Sequence, residues 1–195
     1  MESGDIASAL TRMAQALQAE PANDALRYNY IKLLIGSGAL DQAAAQLAPA
    51  LARIPVPLPF EALQQWLNAL EFVSNDPRGQ WPLDKFDDAI NANKRDFAAR
   101  FAKARVLMSA NAWEAALDEL LEIIMRDKKW DEEAPRKTFI AILELLTPPK
   151  PKAPAQEISG KSEGGIELAG PTTVQQDEQA ALVSSYRRKL SMALN

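Results

Sequence analysis

Apolar residues recur along this chain at the spacing of one face of an α-helix. Glycine and proline lie almost wholly between the helical stretches, and Pro49 is the exception. The pattern therefore predicts an all-α protein. The predicted helices cover residues 5–20, 23–36, 39–53, 60–73, 82–93, 95–109, 112–127, 132–146 and 176–193.

The apolar pattern also repeats over a longer interval. Met13, Leu47, Phe86 and Leu120 follow one another along the chain, and the first and last steps of this series have the same length. The middle step is longer, and its extra residues fall in the stretch 74–82, which has the composition of a loop. We expect these four apolar side chains to be buried at equivalent places in successive repeats.

Each repeat reads as two amphipathic helices joined by a tight turn. Gly38 occupies the turn, Ala43 follows five residues later, and Pro55 comes after the second helix. Asn111 stands at the same turn position in the last repeat, and asparagine tolerates the left-handed conformation that such a turn uses. Two helices in about 34 residues form the tetratricopeptide unit. Residues 4–147 are therefore predicted to form a tetratricopeptide-repeat array, a right-handed superhelix with extra C-terminal helices.

The register of the repeat is unusual at its start. Gly4 corresponds to the turn residue Gly38, so the first predicted helix is a second helix without its partner. Each repeat unit buries its apolar face only against a neighbour. The sequence thus predicts a missing segment upstream; the alternative is a single helix that caps the array.

The chain after residue 147 has two different parts. Residues 148–175 are rich in proline and glycine and contain no aromatic residue, so we predict a flexible tether there, with a partner-binding segment around 158–168 as the alternative. Residues 176–195 form a predicted helix in which Val183, Tyr186 and Leu190 share one stripe. Such a helix either caps the array or docks on another protein.

Composition narrows the possible functions. The chain contains no histidine and no cysteine, which excludes disulfides, histidine-based catalytic triads and zinc sites built from those residues. Its net charge of −4 argues against nucleic acid as a partner. No apolar run is long enough to span a membrane. We expect a soluble, cytoplasmic protein that is not an enzyme and holds no cofactor or metal. The acidic run 131–133 is predicted to cap the next helix rather than to bind a metal.

Tetratricopeptide arrays carry a concave surface, and the repeat register indicates which side chains line it. The first helices of successive units would present Tyr28, Lys32, Gln64, Asn68, Phe101 and Arg105. The last two belong to a basic helix over residues 94–106, which reads either as a solvated face or as the basic wall of a groove for acidic peptides.

Several motifs resemble the C-terminal part of the YbbN family, the chaperedoxins also called CnoX. The similarity rests on the sequence WEAAL at 113–117, on ELLEII at 119–124, and on a D-x-x-W pair formed by Asp127 and Trp130. It continues with Arg136 and Lys137 and ends with a late Y-R-R-x-L motif. That motif consists of Tyr186, Arg187, Arg188 and Leu190.

The resemblance implies a co-chaperone. Members of that family join a thioredoxin-like domain to a tetratricopeptide array, hold unfolding client proteins, and pass them to GroEL-type and DnaK-type chaperones. Their C-terminal helix docks on the chaperonin, a role that here would fall to Tyr186, Arg187, Arg188 and Leu190. The thioredoxin-like domain is absent from this sequence, and Pro135 and the 148–175 insert also depart from the family pattern. The alternative function is a scaffold that joins fixed partners without handling clients.

Overall fold

A computed structural model describes residues 3–147 and 171–195 of the chain, with side chains from residue 5 and again from residue 178. In this part the chain forms nine α-helices, two short 3-10 turns and no strand, so the all-α prediction is confirmed. The helices are α1 (Ser3–Ala19), α2 (Asp24–Gly36), α3 (Leu40–Leu51), α4 (Leu58–Asn75), α5 (Leu83–Ala92), α6 (Phe97–Ser109), α7 (Trp113–Arg126), α8 (Ala134–Leu146) and α9 (Pro171–Leu194).

The last helix begins earlier than the sequence predicts. Helix α9 starts at Pro171 rather than at residue 176, inside the segment assigned to the tether. Proline suits the first position of a helix because its missing N–H is not needed there. The rest of the predicted tether, residues 148–170, lies outside the described residues, as does the alternative binding segment at 158–168.

The structure bears out the repeat at the level of single side chains. Gly38 and Asn111 both adopt a left-handed backbone, with φ of 81° and 58°. Asn23 and Asp96 are also equivalent in the repeat, and each caps a helix by accepting a hydrogen bond from the backbone N–H three residues later. Equivalent positions in the two units therefore have the same local chemistry.

The turn at Asn111 gives a direct test of this equivalence. Asn111→Gly should raise the free energy of unfolding by roughly 0.5–1 kcal/mol, because glycine adopts a positive φ without strain, whereas Asn111→Ala should lower it by about 1 kcal/mol. Urea denaturation measures both values. The matched control is Ala115→Gly on the exposed side of α7, which should cost about 1 kcal/mol. Equal costs for glycine at the two positions would contradict the assignment.

The repeated apolar positions are buried, with one exception. Leu47, Phe86 and Leu120 are fully inaccessible, as predicted, but Met13 is only half-buried. Helix α1 stands at the end of the array and packs mainly on α2, so no helix on its other side covers its apolar face. The prediction that Met13 is buried like the others is therefore wrong.

Helix α8 folds back onto α4, which the repeat pattern does not predict. Helix α4 packs not only against α6, as the first helices of neighbouring units do, but also along α8. Ala141 and Leu145 of α8 join the apolar cluster that α4 forms with the first three helices. Helix α7 meets the same region, where Trp113 lies edge-on to Trp66 with ring centroids 5.6 Å apart. The face of α4 that would be open in an extended superhelix is thus covered over much of its length.

The acidic run before α8 does not act as the predicted cap. Asp131, Glu132 and Glu133 all have a positive φ, between 48° and 64°. Glu133 immediately precedes α8 but accepts no hydrogen bond from a backbone N–H of its first turn, and its carboxylate instead pairs with the side chain of Arg136 at 3.0 Å. The acidic run therefore makes no backbone cap, and the capping prediction is wrong.

Candidate functional site

Arg105 on α6 is the most distinctive polar side chain of the predicted concave surface. Its guanidinium lies over two aromatic rings, 4.3 Å from the centroid of Phe101 and 5.2 Å from that of Phe72. Burial lowers the pKa of the Arg105 guanidinium, while the charges of Asp131 and Asp76 act in the opposite direction. Within the described residues it makes no hydrogen bond or ion pair. The structure thus orients a half-buried cation by stacking and leaves its N–H groups free.

The Arg105 guanidinium borders a depression of about 500 Å³ between α4 and α6. Asn68 and Asn75 contribute amide groups to its wall, and the amide of Gln64 donates to the Asn68 side-chain oxygen at 2.5 Å. Asp76 also lines it, but its carboxylate is engaged by Arg78, at 2.9 Å. The depression therefore combines a free guanidinium with amides and with the carboxylate of Glu71, which also lines it. The guanidinium and the amides can hydrogen-bond a peptide backbone or a carboxylate, and Glu71 can accept from backbone N–H groups.

Phe101 does not line this surface, contrary to the prediction. Its side chain is buried in the core, where its ring lies edge-on to Trp130 at 5.7 Å. The other face supports Arg105. Phe101 thus positions the guanidinium and does not itself reach solvent.

Tyr28 and Lys32 lie at a different place on the surface, on α2. The Lys32 ammonium is 5.9 Å from the centre of the Tyr28 ring. Burial raises the pKa of the Tyr28 hydroxyl and the charge of Glu144 adds to this effect, while burial lowers the pKa of Lys32. Because Glu144 belongs to α8, this helix borders the Tyr28 region. The structure brings Asn68 and Arg105 into one depression, and Gln64 reaches its edge through the hydrogen bond to Asn68. No hydrogen bond or ion pair links Tyr28 or Lys32 to these residues in the part of the chain that the structure describes.

The four predicted docking residues of the C-terminal helix α9 lie in two different environments. Tyr186 and Leu190 are buried against α7 and α8, whereas Arg187 and Arg188 are exposed. The Tyr186 hydroxyl donates to Asp118 at 2.9 Å, and burial together with this bond raises the pKa of Tyr186 strongly. In this position α9 caps the last repeat. Of the four residues only the two arginines reach solvent, and Arg187 also donates to the Thr147 hydroxyl at 3.2 Å.

Two cations of the basic helix lie in an environment that differs from both predicted alternatives. Arg100 and Lys103 are neither solvated nor part of a groove wall, since both are largely buried and bind Glu119 of α7, at 2.5 and 2.7 Å. Lys103 also contacts Asp87 of α5 at 2.6 Å. Burial by itself would lower the pKa of Lys103, but the bonds to Asp87 and Glu119 outweigh it and raise that pKa. This network holds α5, α6 and α7 together, and Glu119 is a key residue that the sequence reasoning missed.

The described residues contain neither a cluster of metal ligands nor a membrane-spanning helix. Between residues 3 and 147 and from 171 onward, no cluster of acidic side chains has the arrangement of a metal site. None of the helices in these ranges is long and apolar enough to cross a membrane.

Comparison with known families agrees with the fold. Two family models match, both described as tetratricopeptide repeat, one over residues 1–67 and the other over residues 78–156. With the helical architecture, these matches make the chain a tetratricopeptide-repeat protein, and such repeats serve as protein–protein interaction modules. No curated protein and no solved structure gives a significant match. Neither family description names the YbbN family.

Proposed function

We propose that the chain is the protein-binding part of a co-chaperone, which holds segments of unfolding proteins and delivers them to a larger chaperone of the GroEL or DnaK type. The observation that carries the binding function is the stacked and unpaired guanidinium of Arg105 above a depression lined by amides. A group fixed in this way loses little conformational entropy when a partner binds. The finer assignment to a co-chaperone rests on the resemblance of the motifs to the YbbN family.

In this proposal one surface binds the unfolded segment and a second surface contacts the larger chaperone. The depression beside Arg105 takes an extended segment of the partner, whose backbone carbonyls or carboxylates meet the guanidinium and the amides of Asn68 and Asn75. The exposed pair Arg187 and Arg188 contacts the larger chaperone from the outer side of α9. Rim arginines of this kind mainly raise the association rate and make it sensitive to salt.

A scaffold that joins fixed partners is the second candidate. It is favoured by the lining of the Arg105 depression, in which polar side chains outnumber apolar ones, whereas a holder of unfolded clients would need a long apolar groove. A small polar site suits one defined peptide better than many unfolded clients.

The Arg105 site is tested by aggregation of an unrelated heat-unfolded protein, followed by light scattering. A co-chaperone should suppress aggregation at a near-stoichiometric ratio, and Arg105→Ala should weaken this effect about tenfold by removing charge-assisted hydrogen bonds. The matched control is Arg95→Ala, which removes an exposed arginine at the start of the same region. Absence of suppression by the unaltered chain would favour the scaffold.

The outer arginines are tested separately by co-sedimentation with a purified chaperonin. Replacement of Arg187 and Arg188 by glutamate should abolish binding and change the melting temperature little, because both side chains are exposed and the only bond lost is the exposed one from Arg187 to Thr147. Replacement of the exposed neighbours Lys94 and Arg95 by glutamate makes the same change in net charge and should leave binding intact. Equal losses in both variants would mean that binding depends on net charge rather than on α9.

A further inference from the structure

An apolar cleft lies between α8 and the connector that joins α3 to α4, residues 52–57. Its volume is about 440 Å³. Leu51, Val56 and Leu58 form one wall, and Ile140 and Ala141 of α8 form the other. The cleft exists because α8 folds back along α4 but leaves the connector uncovered. It differs from the depression beside Arg105, which lies between α4 and α6, and the two meet only where Gln64 of the cleft donates to Asn68 of the depression.

A single large apolar side chain projects from the same connector. Ile54 is 99% exposed, the highest value among the large hydrophobic residues of the described chain, and Leu58 nearby is 41% exposed. The start of the connector is held by Arg53, whose guanidinium pairs with Asp24 of α2 at 2.8 Å. Ile54 is therefore presented to solvent next to a cleft of matching apolar character.

The rim of the cleft carries one charge of each sign. Glu61 of α4 and Lys137 of α8 both line it, and neither forms an ion pair within the described residues. A surface that carries a protrusion, a cavity, an unpaired anion and an unpaired cation has the features needed to bind a second copy of itself. Two copies related by a two-fold axis place the feature of one opposite the matching feature of the other.

We propose that the occupant of this cleft is a second copy of the same chain. In the resulting two-fold dimer, Ile54 of each copy inserts into the cleft of the other, between the walls formed by Val56 and Ile140. Glu61 of each copy then faces Lys137 of its mate. The repeat protein binds its partners as a dimer, with the Arg105 depressions outside the dimer interface.

The test is sedimentation equilibrium of the full chain over concentrations from about 1 to about 200 µM, a range that covers micromolar dissociation constants. The expected result is a monomer–dimer equilibrium. Ile54→Ser should weaken dimerisation about tenfold or more, because the apolar area that it buries is lost. The control is Leu83→Ser on α5, which removes another exposed apolar side chain, 42% accessible, away from the cleft.

Charge exchange tests the two-fold geometry. Glu61→Lys and Lys137→Glu should each weaken the dimer about fivefold. The symmetric interface contains two Glu61–Lys137 pairs, and either substitution replaces both of them with pairs of like charge. The double variant should restore dimerisation to within about twofold, because the pairs are then reversed but opposite. Thermal melts of dilute samples should be unchanged, as all three substituted side chains are exposed.

Two outcomes would overturn the proposal. One is a chain that stays monomeric at the highest concentration, which would leave the cleft to a partner of different chemistry. The other is a dimer that Ile54→Ser does not weaken more than Leu83→Ser does. No client protein or chaperone takes part in these measurements, so their result is independent of the proposed function.

Discussion

Deletion of residues 171–195 is expected to lower the melting temperature by roughly 10 °C or more, because the core loses three buried apolar side chains of α9 and each contributes about 1.5–3 kcal/mol. These are Val183, Tyr186 and Leu190. Their removal also uncovers Phe139 and Leu146 of α8, which belong to the same apolar cluster. Differential scanning calorimetry measures the melt, and binding of a hydrophobic dye reports the exposed face.

A milder variant separates the capping contact from the rest of the helix. Tyr186→Phe keeps the ring against Phe139 but removes the hydroxyl that donates to Asp118, and it should cost about 1 kcal/mol. An unchanged melt after the deletion would contradict the capping role and return Tyr186 and Leu190 to the set of docking residues. A large loss of stability together with lost chaperonin binding would give α9 both roles.

The helix boundaries could be predicted from the sequence because the repeat constrains each of them more than once. Asn23 and Asp96 start equivalent helices, and Gly38 and Asn111 end them. A turn that requires a left-handed residue leaves few alternatives at that position. The predicted start of α9 is five residues too late. The sequence pattern assigns Pro171 to the loop because proline interrupts helices, but proline also occurs at the first position of a helix, as it does here.

The position of α8 could not be predicted in the same way. An amphipathic pattern shows that Ala141 and Leu145 are buried, but not which neighbour covers them. In a regular array the neighbour would be the adjacent unit, whereas here it includes α4, far away in sequence. For the same reason the six groove residues were expected on one continuous surface. Only Asn68 and Arg105 line one depression, with Gln64 bonded to its edge. Phe101 is buried in the core, and Tyr28 and Lys32 lie on α2 beside Glu144 of α8.

The buried charge network, by contrast, left a signal in the repeat. Arg27 donates to the backbone carbonyl of Gln46, and Arg100 donates to the carboxylate of Glu119, in both cases 19 residues later. The two arginines correspond to each other in the repeat, and so do their two acceptors. Aligning the charges as well as the apolar residues would have assigned Arg100 to a contact between the helices of its unit. The acceptors differ in kind: Gln46 offers a backbone carbonyl, whereas Glu119 offers a charged carboxylate. The stability of the second unit is therefore expected to depend on Glu119.

Glu119→Ala is therefore expected to lower the free energy of unfolding by roughly 3 kcal/mol, near the lower end of the cost of breaking a buried ion pair. The substitution leaves Arg100 with no counter-charge and Lys103 with Asp87 alone, while both cations remain largely buried. Urea denaturation measures the loss. The isosteric change Glu119→Gln keeps the packing and removes only the charge, so its cost isolates the electrostatic part.

The control and the pH dependence make the prediction specific. Glu122→Gln on the same helix breaks the exposed pair with Arg126 and should cost less than about 0.5 kcal/mol. The folded-state pKa of Lys103 lies above its ordinary value of 10.5, so the stability that its ion pairs contribute is complete below that pH and is lost as the pH rises through the folded value. Without the charge of Glu119 this pKa falls, and the alkaline loss of stability should begin at a lower pH. Equal costs for Glu119→Gln and Glu122→Gln would contradict the prediction, because they would mean that the buried cations lose no more by losing the charge of Glu119 than an exposed pair loses.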